Sequence, residues 1–264
     1  MGTAQLQQEQ PPLGIRHMAS KVPEVTFYFW VIKVLTTGMG ETASDFLAHL
    51  LGPIPAVALG GLAFAASLAL QLSVRRYVPW IYWTAIVMVS VFGTMAADVL
   101  HVGLGVPYTL STPLFLTALA AVFATWYASE RTLSIHSVHT RRRELFYWAA
   151  VLATFALGTA AGDLTATTAG LGYLGSGVVF AAVIAVPVVA HRWLGLNAIA
   201  AFWSAYVVTR PLGASFADWM AVSSARGGLG LGLGPVTLGW TIAILGLVGY
   251  LAVSGKDVAT IGVR

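Results

Sequence analysis

Four segments of the chain align without gaps: FWVIKVLTTGMGETASD (29–45), YWTAIVMVSVFGTMAAD (82–98), YWAAVLATFALGTAAGD (147–163) and FWSAYVVTRPLGASFAD (202–218). Each reads [FY]-W-x9-G-x4-D, and four of the five Asp in the chain close these segments, the fifth being Asp257. A sequence that repeats such a pattern four times folds as four copies of one supersecondary unit. The Asp-to-Asp steps are 53, 65 and 55 residues, room for two helices per unit. Corresponding Asp of the two halves are 118 and 120 residues apart, as expected from two successive duplications of a helical hairpin.

Each unit is apolar. The chain is 58% hydrophobic and 9% charged, with a mean hydropathy of +0.80, whereas a soluble domain carries roughly 25% charged residues. Hydropathy and punctuation predict an all-α integral membrane protein with eight transmembrane helices. Their expected positions are near 27–49, 54–74, 79–101, 112–129, 145–167, 175–192, 197–221 and 235–254, each about the ~20 residues a crossing needs. Two spans per unit bring all four repeats into the membrane in the same direction, so they are parallel repeats rather than inverted ones. The polar stretch 1–26 reads as a cytoplasmic tail, 27–135 as a first half and 136–264 as a second half.

Charge sets the orientation. Arg75, Arg76, Arg131, Arg141, Arg142, Arg143, Arg192 and Lys256 fall in one set of loops, while the Gly-rich set holds only Arg226. The positive-inside rule then places both termini in the cytoplasm. No cysteine is present, which removes thiolate metal sites, disulfides and Cys nucleophiles. The net charge of +4 reflects topology and gives no nucleic-acid footprint.

Fifteen helical residues carry the chain about 22 Å, so the Asp that follows each Trp lies in the outer half of the bilayer. Five residues before it, Gly40, Gly93, Gly158 and Gly213 permit close helix contact or a local break. The simplest packing puts the four Asp-bearing helices inside, facing a common axis, with the alternate helices outside and the Trp side chains as interfacial anchors. On the first helix Lys33, Thr37, Glu41, Asp45 and His49 recur at i+4 and form one polar stripe.

Asp45, Asp98, Asp163, Asp218 and Glu41, with Thr37, Thr94 and Thr159, are the candidate ion-binding residues. Crowded carboxylates in a low dielectric must share protons or hold a cation. Imidazoles at His49 and His101 join those acids as candidate metal ligands, a donor set suited to Mn, Fe, Co, Ni or Zn. Lys33 and Arg210 are expected as charge partners. The expected activity is transport of a divalent, Mn-like metal with proton coupling, the metal being substrate rather than resident cofactor. The alternatives are a proton-coupled transporter of a small anion or organic solute held by Lys33 and Arg210, or a non-transport sensor or scaffold. An aspartyl protease needs one specialised acid pair, which four equivalent Asp argue against, and nothing in the repeat suggests a pigment on Lys33. No enzymatic activity is expected. The expected partners are membrane lipid, a small cation and protons, with homo-oligomerisation left open.

The segments KVLTTGMGETASD, GTAAGD and RPLGASFAD resemble a bacterial family of uncharacterised, membrane-anchored polytopic proteins of similar size. The resemblance implies a fold and a bacterial inner-membrane location, and no substrate.

Overall fold

A computed structural model describes residues 20–258. Of the expected tail, 1–19 lie outside the described residues. All the regular structure among them is helical: α1 (Phe27–Leu51), α2 (Pro53–Ser73), α3 (Pro79–Asp98), α4 (Tyr108–Glu130), α5 (Arg141–Asp163), α6 (Gly172–Val183), α7 (Ala185–Trp193), α8 (Ala198–Ala221) and α9 (Leu233–Ser254). Local chemistry sets several starts. The Thr26 and Thr140 hydroxyls and the Asn197 amide oxygen accept from backbone N–H groups in the first turns of α1, α5 and α8. Pro53 and Pro79 open α2 and α3, where a missing N–H is harmless.

Six helical stretches are long and apolar enough to cross a membrane: 53–73, 79–103, 108–130, 141–168, 172–193 and 233–254. The two inner helices outside this set, α1 and α8, are 25 and 24 residues long and carry Lys33, Glu41 and Asp45, and Arg210 and Asp218. These charges lower the hydropathy of both helices, and Lys33, Glu41, Arg210 and Asp218 are buried within the bundle.

The molecule has two layers. The inner layer is α1, α3, α5 and α8, each packed on the next, with α8 closing back on α1. The outer layer follows the same cyclic rule: α2 packs on α3, α4 on α5, α6 and α7 on α8, and α9 on α1. Each repeat therefore covers its neighbour's inner helix, and the packing of α4 on α5 crosses the expected 135/136 boundary between halves. The outer helices present Leu, Val and Ile side chains outward, among them Leu62, Leu114, Val178 and Leu238, as a lipid-facing layer does.

Glycine positions the inner helices. A Cβ on Gly40 would collide with Ser90 of α3, on Gly93 with Phe155 of α5, on Gly158 with Arg210 of α8, and on Gly213 with Thr37 of α1. Ser90, Phe155, Arg210 and Thr37 all occupy the same place in the repeat, three residues before the Gly. One contact thus recurs four times around an axis. Of the two expected roles for these Gly, close approach is the one used, and the helices run straight through them.

Breaks occur elsewhere. α3 and α5 each end at the motif Asp and continue as a π-helical turn, Val99–Gly103 and Leu164–Thr168. α1 and α8 have no such turn. The span expected at 175–192 is interrupted at Ile184, because Pro187 has no N–H and its ring crowds the carbonyl of Val183.

The motif aromatics gather at one end of the inner bundle. Trp83, Trp148 and Trp203 are buried, and Phe29 packs on Trp83 and Phe202 with ring centroids 5.7 and 6.0 Å apart. The Tyr82 and Tyr147 hydroxyls meet at 2.5 Å. The expectation that these Trp anchor the protein at the lipid interface is corrected: parallel inner helices bring their equivalent ends together, so the aromatics fill the axis. Residues 20–26 cross this end. Lys21 is buried and its ammonium donates to Glu144 of α5, which also accepts from Gln71 of α2. Backbone bonds tie Lys21 to Val138, Glu24 to Asp257 and Tyr77 to Ser20. Tyr77 also donates to the Asp257 carboxylate, and burial followed by that carboxylate pushes its phenol above the usual range.

Candidate functional site

The centre of the inner bundle is Arg210. Its side chain is fully buried and reaches across to all three other inner helices. One terminal nitrogen donates to the Glu41 carboxylate and to the hydroxyls of Thr94 and Thr159, the last at 2.9 Å. The other donates to the Thr37 carbonyl at 3.2 Å. Glu41, Thr94 and Thr159 each follow the motif Gly by one residue, so a single guanidinium gathers the same position of three repeats. The fourth equivalent, Ala214, lies on the helix that supplies the Arg. The Arg210–Glu41 ion pair is a charge-assisted bond in a dry interior, where geometry and extra donors decide whether the pair is tolerated.

Of the two expected charge partners, Arg210 finds a carboxylate and Lys33 does not. The Lys33 ammonium lies two turns nearer the aromatic end, over the faces of Phe155 and Tyr206 at 4.2 and 4.3 Å from the ring centroids. It is buried and has no hydrogen-bond partner among the described residues. The expectation of a salt bridge at Lys33 is thereby corrected. Glu41 is two turns further along α1, and Arg210 holds it.

The candidate ligand oxygens of the Thr residues are engaged within the protein. Thr94 and Thr159 accept from Arg210, and the Thr37 hydroxyl donates to the carbonyls of Val34 and Thr209. Thr37 is thus part of the α1–α8 contact over Gly213.

The four Asp lie one turn, about 6 Å, beyond the level of Glu41. Asp218 is buried, while Asp45, Asp98 and Asp163 are partly exposed. Their carboxyls are close enough to act on one another and on Glu41 and Arg210 electrostatically. Tyr108 and Tyr173 lie within electrostatic reach of Asp163 and Asp218, and Arg226 of the Gly-rich loop within that of Asp45. Burial along the α1 stripe falls in the order of the chain: Lys33, Thr37 and Glu41 are buried, Asp45 is partly exposed and His49 is exposed. The Asp end is therefore the open end of the inner bundle.

The imidazoles do not join the acids. His49 Nδ1 sits 2.7 Å from the Asp45 carbonyl on its own helix. His101 falls in the π-helical turn after Asp98, stacks on Tyr108 with centroids 4.2 Å apart, and faces the Val106 carbonyl. Among the described residues no group of three His, Asp or Glu converges to hold a metal ion. The expected metal set of Asp45, Asp98, Asp163, Asp218, Glu41, His49 and His101 does not form a shell, because the four Asp sit on four different helices, Glu41 is held by Arg210, and both imidazoles turn to backbone carbonyls.

Sequence reasoning missed Phe155 and Tyr206 as the neighbours of Lys33, and the Lys21–Glu144–Gln71 lock. Alignment of the repeats carried a signal for the first: Phe155 and Arg210 occupy equivalent positions, so both face the axis.

Four stretches, 28–77, 81–132, 146–195 and 201–257, match the repeat of unknown function DUF347. No curated protein and no solved structure matches the chain. The matched stretches begin within one residue of each motif aromatic and together span most of the chain, which belongs to the DUF347 repeat family.

Proposed function

We propose that the protein is a membrane transporter for a small cation, coupled to protons through the Asp and Glu side chains of the inner bundle. In this reading all eight spans cross, α1 and α8 included, and both termini face the bacterial cytoplasm. The observation that carries the proposal is the arrangement of four Asp-bearing helices around one axis, with a fully buried Arg210–Glu41 pair directly beneath the Asp level. Intramembrane ionisable residues are costly and are retained where ions or protons move. Glu41 and Arg210 cancel, so the open end carries the four Asp with no buried counter-charge of its own. A cation arriving there replaces protons, and loss or gain of the Glu41 proton releases or captures Arg210.

The axis is sealed below by Arg210, then by Lys33 between aromatic faces, then by Tyr82, Tyr147 and the Trp cluster. Passage needs a second state in which these contacts open, which fits a carrier. In this reading a divalent metal binds through one or two of the carboxylates and water, as hard cations do. The Arg210 charge is paired with Glu41, and its terminal nitrogens also donate to Thr94, Thr159 and the Thr37 carbonyl, which weighs against the anion-binding alternative.

The test is flux into proteoliposomes loaded with a Mn²⁺-quenchable dye and a pH dye. The wild type should admit a cation against an opposite proton movement, and Asp45→Asn, Asp163→Asn and Glu41→Gln should each abolish it while remaining folded. A folded wild type that moves neither divalent nor monovalent cations would end the proposal.

A further inference from the structure

The outer layer keeps its cyclic rule but is not uniform around the ring. α2 and α9 run unbroken for 21 and 22 residues, and α4 carries its internal Pro113 near its start. The outer helix of the third repeat is divided at Ile184 into α6 and α7, and a gap remains between α7, α8 and the start of α1 toward the aromatic end. A cavity of about 770 Å³ opens there. Its walls are apolar: Trp30 and Val34 of α1, Val188 of α7, and Ala201, Phe202 and Ala205 of α8. On α8 it extends from Ala198 to Thr209, a rise of about 16 Å, or one leaflet of a ~30 Å hydrocarbon core.

The mouth of the cavity is basic. Arg192, His191 and His136 line it, and Arg192 has no ion-pair partner among the described residues. His191 uses Nδ1 on the Leu196 carbonyl at 2.7 Å, which leaves Nε2 free to face outward. The one acid facing the mouth is Glu24, 3.6 Å from His136. Trp193, next to Arg192, is 73% exposed, as an aromatic at the headgroup level is. The Arg-bearing loops lie at this same end, the cytoplasmic one by the positive-inside rule.

We propose that this groove holds one anionic glycerophospholipid of the cytoplasmic leaflet, an acyl chain along α8 and the phosphate at Arg192 and His191. An apolar slot one leaflet deep, opening sideways to the bilayer and basic only at its interfacial mouth, matches the two ends of such a lipid. It matches neither a soluble anion nor a neutral lipid. The site is separate from the Asp residues and does not depend on what is transported.

Native mass spectrometry of the full-length protein in detergent, titrated with phosphatidylglycerol or phosphatidylcholine, tests it. The wild type should retain phosphatidylglycerol about fivefold more tightly, the preference one interfacial Arg confers. Arg192→Gln should remove the preference, and Arg75→Gln, at the same end but off the groove, should keep it. Ala201→Phe fills the slot and should expel both lipids. Val188→Trp does so from an exposed position and serves if the first variant fails to fold. Equal retention of the two lipids by the wild type, a preference that survives Arg192→Gln, or full retention by a folded slot-filled variant would each overturn the proposal.

Discussion

The two ends of the inner bundle are built from the same four helices and behave oppositely. At the aromatic end the repeats stay alike: Phe29, Tyr82, Tyr147 and Phe202, each followed by Trp, pack into a closed plug reinforced by residues 20–26. At the Asp end only the Asp and the Gly are kept in all four repeats, and the residue directly after the Gly has become Glu41, Thr94, Thr159 or Ala214. Packing tolerates fourfold likeness, because each aromatic meets another aromatic. Charge does not, since four Glu around one Arg would leave three buried charges unmatched. Divergence at that single position gives one guanidinium one carboxylate and two hydroxyls as partners.

The largest expected effect breaks what the two ends share, the Gly contacts. Gly213→Val places a side chain against Thr37 and the Val34 carbonyl, backbone that cannot move aside. No side chain can repack to relieve a clash with backbone, so α1 and α8 must part, and the detergent-solubilised variant should lose its monodisperse peak in size-exclusion chromatography. Gly246→Ala, with open space around it, should behave as wild type.

Next is the Arg210–Glu41 pair. Arg210→Met leaves a buried carboxylate unmatched, a loss of about 3–5 kcal/mol, and Tm should fall sharply. Arg210→Met with Glu41→Gln should recover most of it. A double variant no more stable than the single one would show that the pair is not what holds the Arg in place. A smaller effect belongs to the aromatic end: Tyr82→Phe strands the Tyr147 hydroxyl at a cost of about 1–3 kcal/mol, and Tm should fall by a few degrees. The smallest is Lys33→Met. The Lys33 ammonium has no hydrogen bond to lose, and removing an unpartnered buried polar group is favourable. Tm should hold or rise, in contrast to Arg210→Met. A fall as large as that of Arg210→Met would mean that the contacts with Phe155 and Tyr206 do for Lys33 what Glu41 does for Arg210.

The repeat, the two layers and the inward-facing Asp were legible in the sequence because they are periodic: a pattern kept four times has one packing that satisfies all copies. The Arg210 hub was only half legible. Its charge-partner role follows from burial, whereas its three partners lie 51, 116 and 169 residues away, and only the ring order of the helices brings them together. The π-helical turns after Asp98 and Asp163 were not foreseen, since the expected spans run into them as plain helix as far as 101 and 167. Their effect on the site is concrete, because the turn after Asp98 carries His101 onto Tyr108 and away from the acids. The break at Ile184 did have a signal in Pro187, hidden by the hydrophobicity on either side.

Because every outer helix covers the inner helix of the following repeat, and α9 returns to α1, no repeat is a folding unit by itself. The chain is a ring cut once, between Asp257 and Glu24, whose backbones still touch across the cut. Where that cut falls is a matter of gene history more than of architecture. Joined there and reopened in the 131–140 loop, the polypeptide would have the same neighbours at every contact.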